Sequence, residues 1–294
     1  MRILLTGAGG NVGTGVTGLL RAAGHDVVLS DINPLPDLEQ FAGCDFHQVD
    51  VQAGFGLERA IEGCDLLLHT PAWHGIHSRT KTEIDFWRVN VDGAFWAMQA
   101  ARAAGITRLV FLSSMAWFGH YDKYGFTKRV GEELCEYHRQ RNGMRYVVVR
   151  PHDFTPWGGD YLNRYGARLL HGGVDRADVL DCVRLAVDAL AGPAPADGPE
   201  AHVVPAVRAN AFTDAEVEGW EADPAAACER VFPGSAALLA RYPIDISRRP
   251  SVVEQVGADA IGYRPSRHFG TFLRELAELD RESPQRVSEM RCPY

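Results

Sequence analysis

The run Thr6-Gly7-Ala8-Gly9-Gly10-Asn11-Val12-Gly13 follows directly on the apolar stretch Arg2 to Thr6 and opens a helix-like segment. A glycine loop between a strand and a helix is the arrangement by which a βαβ unit cradles a dinucleotide. Its glycines have separate jobs. Gly7 permits the tight turn, Gly10 lets the backbone approach a pyrophosphate, and Gly13 lets the helix lie close to the sheet. The backbone at Asn11 and Val12 then faces the anion from the helix N-terminus. The plainer alternative, an ordinary glycine-rich turn, does not require strand, loop, helix and next strand in this order.

The next strand runs into Asp31-Ile32, and Asp31 comes 18 residues after Gly13, where an acidic side chain accepts both hydroxyls of an adenine ribose. A carboxylate there repels the 2′-phosphate of NADP, and no arginine follows within the next several residues. NAD is therefore the expected cofactor. Asp50-Val51 closes the third strand, where a carboxylate receives the adenine amino group.

The rest of the first half alternates strand-sized apolar runs with helical stretches, the pattern of a parallel sheet built from βαβ units. Strands are expected at Arg2–Thr6, Asp26–Ser30, Asp45–Val49, Asp65–Thr70, Arg108–Ser113 and Arg145–Val149. Helices are expected at Val12–Ala23, Phe55–Glu62, Lys81–Ala104 and Tyr124–Arg141, each stopped by a glycine (Gly24, Gly63, Gly105, Gly143). After Arg150-Pro151 prolines cluster and the alternation fades. One helix is expected at Ala177–Leu190, a capping box at Thr213 to Glu216, and a final amphipathic helix at Arg267–Arg281 with Phe269, Phe272, Leu273, Leu276 and Leu279 on one face. The expected architecture is α/β: a Rossmann-type doubly wound parallel sheet over residues 1–158 and a smaller substrate-binding region over 159–294. The helix near 177–190 packs back on the first domain.

Composition excludes several classes. At 294 residues, 46% hydrophobic and 23% charged, the chain can bury its own core. Lys plus Arg number 30 against 38 Asp plus Glu, and the net charge of −8 argues against a nucleic-acid partner. No apolar run approaches the roughly 20 residues that cross a bilayer, so no membrane partner is expected. With no signal-peptide h-region ahead of the glycine loop and six cysteines without a CxxC pair, a cytoplasmic protein with reduced thiols is expected.

A second constellation is Tyr124-Gly125-Phe126-Thr127-Lys128. On a helix the i, i+4 spacing puts phenol and ammonium on one face. The nearby positive charge stabilises phenolate and lowers the tyrosine pKa from about 10 toward working pH, making Tyr124 a proton donor and acceptor for an alcohol or ketone. Ser113-Ser114 ends the preceding strand and offers a hydroxyl to hold the substrate oxygen.

Taken together, these segments resemble the extended short-chain dehydrogenase/reductases, the NAD-dependent epimerase/dehydratase family. The resemblance rests on Thr6 to Gly13, Asp31, Leu68-His69-Thr70-Pro71-Ala72, Asn90-Val91-Asp92-Gly93, Ser113 to Gly119, Tyr124 and Lys128 with Gly131-Glu132, and Arg150-Pro151. Weaker matches continue through Gly173 to Val179 and Ile261 to Pro265. It implies a catalytic Ser114, Tyr124 and Lys128, with Lys128 also holding the nicotinamide ribose. It further implies cofactor contacts from Thr70, Pro71, Ala72, Asn90, Pro151 and His152. The chain departs from the family in Pro71, which removes an N–H, in the short Ser114–Tyr124 segment, and in the truncation after Trp157-Gly158-Gly159, where a nucleotide clamp normally stands.

The expected function is NAD-dependent hydride transfer at a secondary alcohol or ketone of a polar, sugar-like substrate, as in a dehydrogenase or reductase of carbohydrate metabolism. Two alternatives remain open: a sugar or nucleotide-sugar epimerase that retains NAD, and a non-catalytic dinucleotide sensor. Met115-Ala116 stand where dehydratases carry an Asp-Glu pair, which disfavours water elimination. Trp73, His74, Ser114, Trp117, Asp153 and Arg264 are the candidate substrate contacts, with His77, His120, Trp157 and Arg267 in the same loops. His74 and His77 have metal-ligand spacing without a third ligand, so no metal is expected. A homodimer is expected through Lys81–Ala104 and Tyr124–Arg141, on the strength of the small-residue stripe Ala94, Ala97, Met98, Ala101 and Ala104 together with further apolar residues at Phe86, Val89, Phe95 and Trp96.

Overall fold

A computed structural model describes residues 1–117, 121–194 and 200–292, with the side chain of Trp117 outside the description. The chain forms two compact units. The first contains Met1–Pro151, Leu180–Pro205 and Val256–Tyr263; the second contains His152–Val179, Ala206–Gln255 and Arg264–Tyr294. The division is thus interleaved rather than a single cut after residue 158.

In the first unit, β1 (Arg2–Thr6) lies inside a seven-stranded sheet with β2 (Asp26–Asp31), β3 (Phe46–Gln48), β4 (Leu66–His69), β5 (Arg108–Leu112), β6 (Arg145–Pro151) and β7 (Ala201–Ala206). The order is β3-β2-β1-β4-β5-β6-β7. Leu4 stands opposite Val28 on one side and Leu67 on the other, in parallel register. Strands covered on both faces read as continuous apolar runs, which is why Leu4, Leu67, Leu109 and Val148 are all buried. The fold is the doubly wound α/β sheet. Its order reverses between β1 and β4, so the loops after these two strands flank the switch point where ligands bind in such sheets.

Helices α1 (Asn11–Ala22), α2 (Leu57–Ala60), α3 (Glu83–Trp87), α4 (Gly93–Ala103) and α5 (Lys123–Asn142) belong to this unit. Gly24, Gly63, Gly105 and Gly143, the four expected helix stops, all take left-handed φ values between +68° and +84°. The helix expected over Lys81–Ala104 is interrupted by a π-turn at Arg88–Asp92, and the one at Phe55–Glu62 shrinks to a single turn. Strand β7 was hidden by Pro205, which a strand tolerates at a sheet edge, where β7 lies.

The stripe proposed for a partner helix is corrected. Ala94, Ala97, Met98 and Ala101 are fully buried in the unit's own core with Leu4, Leu67 and Leu109, and Phe86 is buried as well. A helix beside a sheet spends its small-residue face on close approach to that sheet. The exposed apolar residues of these helices are instead Ile84, Trp87, Trp96, Phe126 and Tyr137.

The second unit has its own core of Trp157, Phe212, Trp220, Phe269, Phe272 and Leu276. Its helix Phe269–Glu282 buries Phe269, Phe272, Leu273 and Leu276 of the stripe that the spacing indicated, and Leu279 is half-buried. Thr213 and Glu216 do bond reciprocally, but the segment they cap is a run of turns ending in a single 3-10 turn at Trp220–Ala222, and an α-helix begins only at Pro224 behind the Asp223 cap. Asp178 ties the unit together by accepting from Ser266 N and Oγ and Arg267 N, each at 3.0 Å. Arg208, 1% exposed, donates to the carbonyls of Leu169, Leu170 and Ser251. The first two end a helical turn, where a cation is favoured.

Candidate active site

The glycine loop hangs from β2: Gly7 N and Ala8 N donate to Ser30 O at 2.9 and 3.0 Å. A Cβ on Gly7 would stand 2.7 Å from Thr70 Oγ1 and 3.0 Å from Pro71 N. One on Gly13 would stand 2.6 Å from Ala8 Cα, Ala8 O and Gly7 O. Both positions therefore exclude a side chain by contact with backbone or buried groups. At Gly10 a Cβ would meet only Gly7 O, at 3.2 Å, so its role is to keep the approach to the helix end bare. No side chain caps α1 and no acidic residue lies in its first turn. An uncapped, unopposed N-terminus is what a pyrophosphate requires.

Asp31 ends β2 and accepts from Gly9 N at 3.0 Å and Asn33 N at 3.1 Å, so the loop itself aims the carboxylate. Thr70 Oγ1 donates to Thr6 O at 2.7 Å and joins the ends of β1 and β4. Ile32 is largely exposed, Asp50 accepts from Gln52 N, and Val51 packs against Gly93 at the start of α4.

Tyr124 and Lys128 lie on the buried face of α5, whose N-terminus is capped by Asp122 accepting from Gly125 N at 2.6 Å. Lys128 is 2% exposed, and its Nζ donates to Leu112 O at 2.7 Å, two residues before Ser114. Burial pulls the ammonium down to about 7, against a smaller opposing effect of Glu132. The Phe111 ring lies 5.3 Å from Nζ, and His69 stacks on that ring at 6.0 Å between centroids. Burial and the Lys128 charge hold His69 neutral, near 3. The Tyr124 ring rests against His74 at 4.7 Å and Phe86 at 6.4 Å. Ser114 Oγ accepts from Ala116 N at 3.0 Å, whereas the Ser113 hydroxyl is spent on Glu132.

Asn90, expected against the cofactor, acts as a bracket. Its Oδ1 accepts from Trp73 N at 2.8 Å, and its Nδ2 donates to Trp73 O and to Thr127 Oγ1. The π-turn gives Asn90 this reach. Lys123 adds a second tie, donating to Ser78 O at 2.8 Å and Lys81 O at 2.6 Å. The loop after β4, with Trp73 and His74, is thereby fastened to α5. His74 Nδ1 accepts from Ile76 N at 3.3 Å. Trp73 carries Lys81 Nζ 4.2 Å over its ring and His77 at its edge.

The expected contacts are divided between the two units. Pro151 closes β6, whereas His152, Asp153, Trp157, Arg264 and Arg267 belong to the second unit. There His152 Nδ1 donates to Gly172 O, Asp153 pairs with Arg168, and Arg264 is exposed. His120 and the Trp117 side chain fall outside the described residues. Sequence reading missed Lys123 and gave no role to Thr127, Glu132 or Arg150, although the last two stand in the segments that carry the resemblance; that Glu132 pairs with Arg150 has no linear signal.

Residues 3–158 match the model of the NAD dependent epimerase/dehydratase family. The uronate dehydrogenase of Pseudomonas syringae pv. tomato is 30% identical over 168 residues, covering 51% of this chain and 58% of that protein. The L-arabinose 1-dehydrogenase (NAD(P)(+)) of Haloferax volcanii is 29% identical over 183 residues, covering 51% and 65%. The chain thus spans less than two thirds of the curated relatives it matches. Among solved structures, MoeE5 in complex with UDP-glucose and NAD superposes with a TM-score of 0.65 at 20% identity, covering 96% of this chain and 99% of that one.

Proposed function

The chain belongs to the NAD dependent epimerase/dehydratase family, and from that premise we propose that it is an NAD-dependent oxidoreductase acting on a secondary alcohol or ketone of a sugar-like substrate. The observation that carries this reading is the buried Tyr124–Lys128 pair, fastened to the end of β5 beside a loop and helix end suited to a pyrophosphate. NAD is held by Gly7 to Gly13, Asp31, Thr70 and Lys128. When bound, its nicotinamide supplies or accepts the hydride. Ser114 holds the substrate oxygen. Tyr124 takes the hydroxyl proton during oxidation and returns it during reduction, with the Lys128 charge favouring phenolate. His74 and Trp73, locked by Asn90 and Lys123, line the substrate side, and the second unit serves as the substrate-binding region.

Both dehydrogenase relatives are named for free sugars, which supports a uronic acid or aldose over a nucleotide sugar. The test is NADH formation from NAD with D-glucuronate, D-galacturonate or L-arabinose. Turnover with one of them and dependence on Tyr124 are expected. NAD released only on denaturation, without net NADH formation, favours the epimerase instead.

Cofactor choice follows from Asp31. NAD is expected to bind at least about tenfold more tightly than NADP, and Asp31→Ala to narrow the gap by relieving repulsion of the 2′-phosphate. Equal dissociation constants in the wild type would exclude this role.

Assembly is read as a homodimer. Its support is the exposed apolar set on α3, α4 and α5, in which Trp87 and Phe126 pair at 6.5 Å. Light scattering at micromolar concentration is expected to show twice the mass of one chain, and a single-chain mass rejects the dimer. Six unpaired cysteines support a cytoplasmic setting; among the described residues no helix is long and apolar enough to cross a membrane.

A further inference from the structure

One buried carboxylate behind the proton-transfer pair has no part in the chemistry as written. Glu132 follows Lys128 by four residues on α5, hence on the same face. Arg150 on β6 grips it in a fork, Nε to Oε1 at 2.9 Å and Nη2 to Oε2 at 2.5 Å, with the two side chains only 15% and 12% exposed. The Ser113 hydroxyl donates to the same carboxylate. Ser113 is 2% exposed and is the immediate neighbour of Ser114. One carboxylate thus joins α5, the end of β5 and β6 at the level of the site.

Four other groups stand around Lys128 among the described residues. His69 from β4 is neutral, and Cys135, one turn beyond Glu132, is kept a thiol by burial. Phe111 from β5 presents a ring, and the Leu112 carbonyl accepts the ammonium. Arg150 from β6 is cationic and is paired to Glu132. The Glu132 charge raises the proton affinity of Lys128, against the larger effect of burial.

We propose that Glu132 is a positioning residue for the proton-transfer site: clamped by Arg150, it pins Ser113 and so the strand end bearing Ser114, and its charge holds Lys128 as an ammonium. The role rests on the reading of Lys128 as a ribose-binding partner of Tyr124.

The test is the pH dependence of the NAD dissociation constant of the full chain, followed by quenching of tryptophan fluorescence. Wild-type affinity is expected to weaken as pH rises through a transition near 7. Glu132→Gln removes the anion, and the transition is expected about one pH unit lower. Arg150→Met leaves the anion without its partner, and the transition is expected to move upward; Glu132→Asp restores most of the wild-type profile. Opposite shifts are the signature, because a merely structural loss moves both variants the same way. Shifts in one direction, or a transition unmoved in a folded Glu132→Gln protein, overturn the proposal while leaving the cofactor reading intact. If Glu132→Gln does not fold, an unmoved or lowered transition in Arg150→Met overturns it. Wild-type protein that binds no NAD overturns both.

Discussion

Tyr124→Phe is expected to lower turnover by about 10²–10⁴-fold while leaving NAD affinity within about twofold of wild type. The substitution removes one oxygen from a ring that is 5% exposed and packed between His74 and Phe86, so the cavity and the helix are preserved. What is lost is a group whose work is done mainly in the transition state, and kcat falls rather than binding. Steady-state kinetics with the substrate found by NADH formation, beside a fluorescence titration with NAD, measures both. Unchanged turnover removes Tyr124 from the chemistry, and a wild type without any Tyr124-dependent turnover returns the chain to a dinucleotide sensor.

Lys128→Met is expected to abolish turnover and yet stabilise the cofactor-free protein at pH 6. Burial pulls the Lys128 ammonium from 10.5 to about 7. Below pH 7 both folded and unfolded chains carry the proton, and the folded chain bears the whole cost of burying it. Between 7 and 10.5 the unfolded chain holds more protons, so stability rises with pH and the penalty is relieved. An unbranched apolar side chain of similar length avoids the cost, and a gain of about 1–4 kcal/mol is expected at pH 6, with a Tm higher by several degrees. The gain shrinks toward pH 10. Thermal denaturation at pH 6 and pH 9.5 checks the sign, and a variant less stable than wild type at pH 6 would show that the Leu112 bond outweighs the desolvation.

The elements that were legible in the sequence share one property: each is decided by a local rule. The loop from Thr6 to Gly13 is specified because Gly7 and Gly13 have no room for a Cβ. The stops at Gly24 and Gly143 are specified by a left-handed φ. Elements that were missed obey rules of another kind. β7 contains a proline and acquires strand character only from β6 beside it, and Pro224–Val231 and Ser235–Arg241 span only about two turns each, too few to set up a recognisable periodicity. The stripe on α4 shows the limit most directly. Spacing showed that Ala94, Ala97, Met98 and Ala101 share a face, but the same spacing serves a partner helix or the chain's own sheet. Packing assigned it to the sheet.

The site divides in the same way. Sequence by itself picked out the candidate residues, because glycines after a strand, an acid at the end of β2 and a phenol four residues before an ammonium are constrained by covalent geometry and helical pitch. Only the tertiary structure decided what those residues experience. Leu112 O meets Lys128 from sixteen residues earlier, Asn90 reaches Thr127 across thirty-seven, and Glu132 joins Ser113 to Arg150 across three elements. Hydrogen bonds and desolvation depend on distance in space, and in a parallel sheet neighbours in space are separated by whole crossovers of chain. The proton affinity of Lys128 is therefore a property of the folded sheet and its helices, and no segment of the sequence contains it alone.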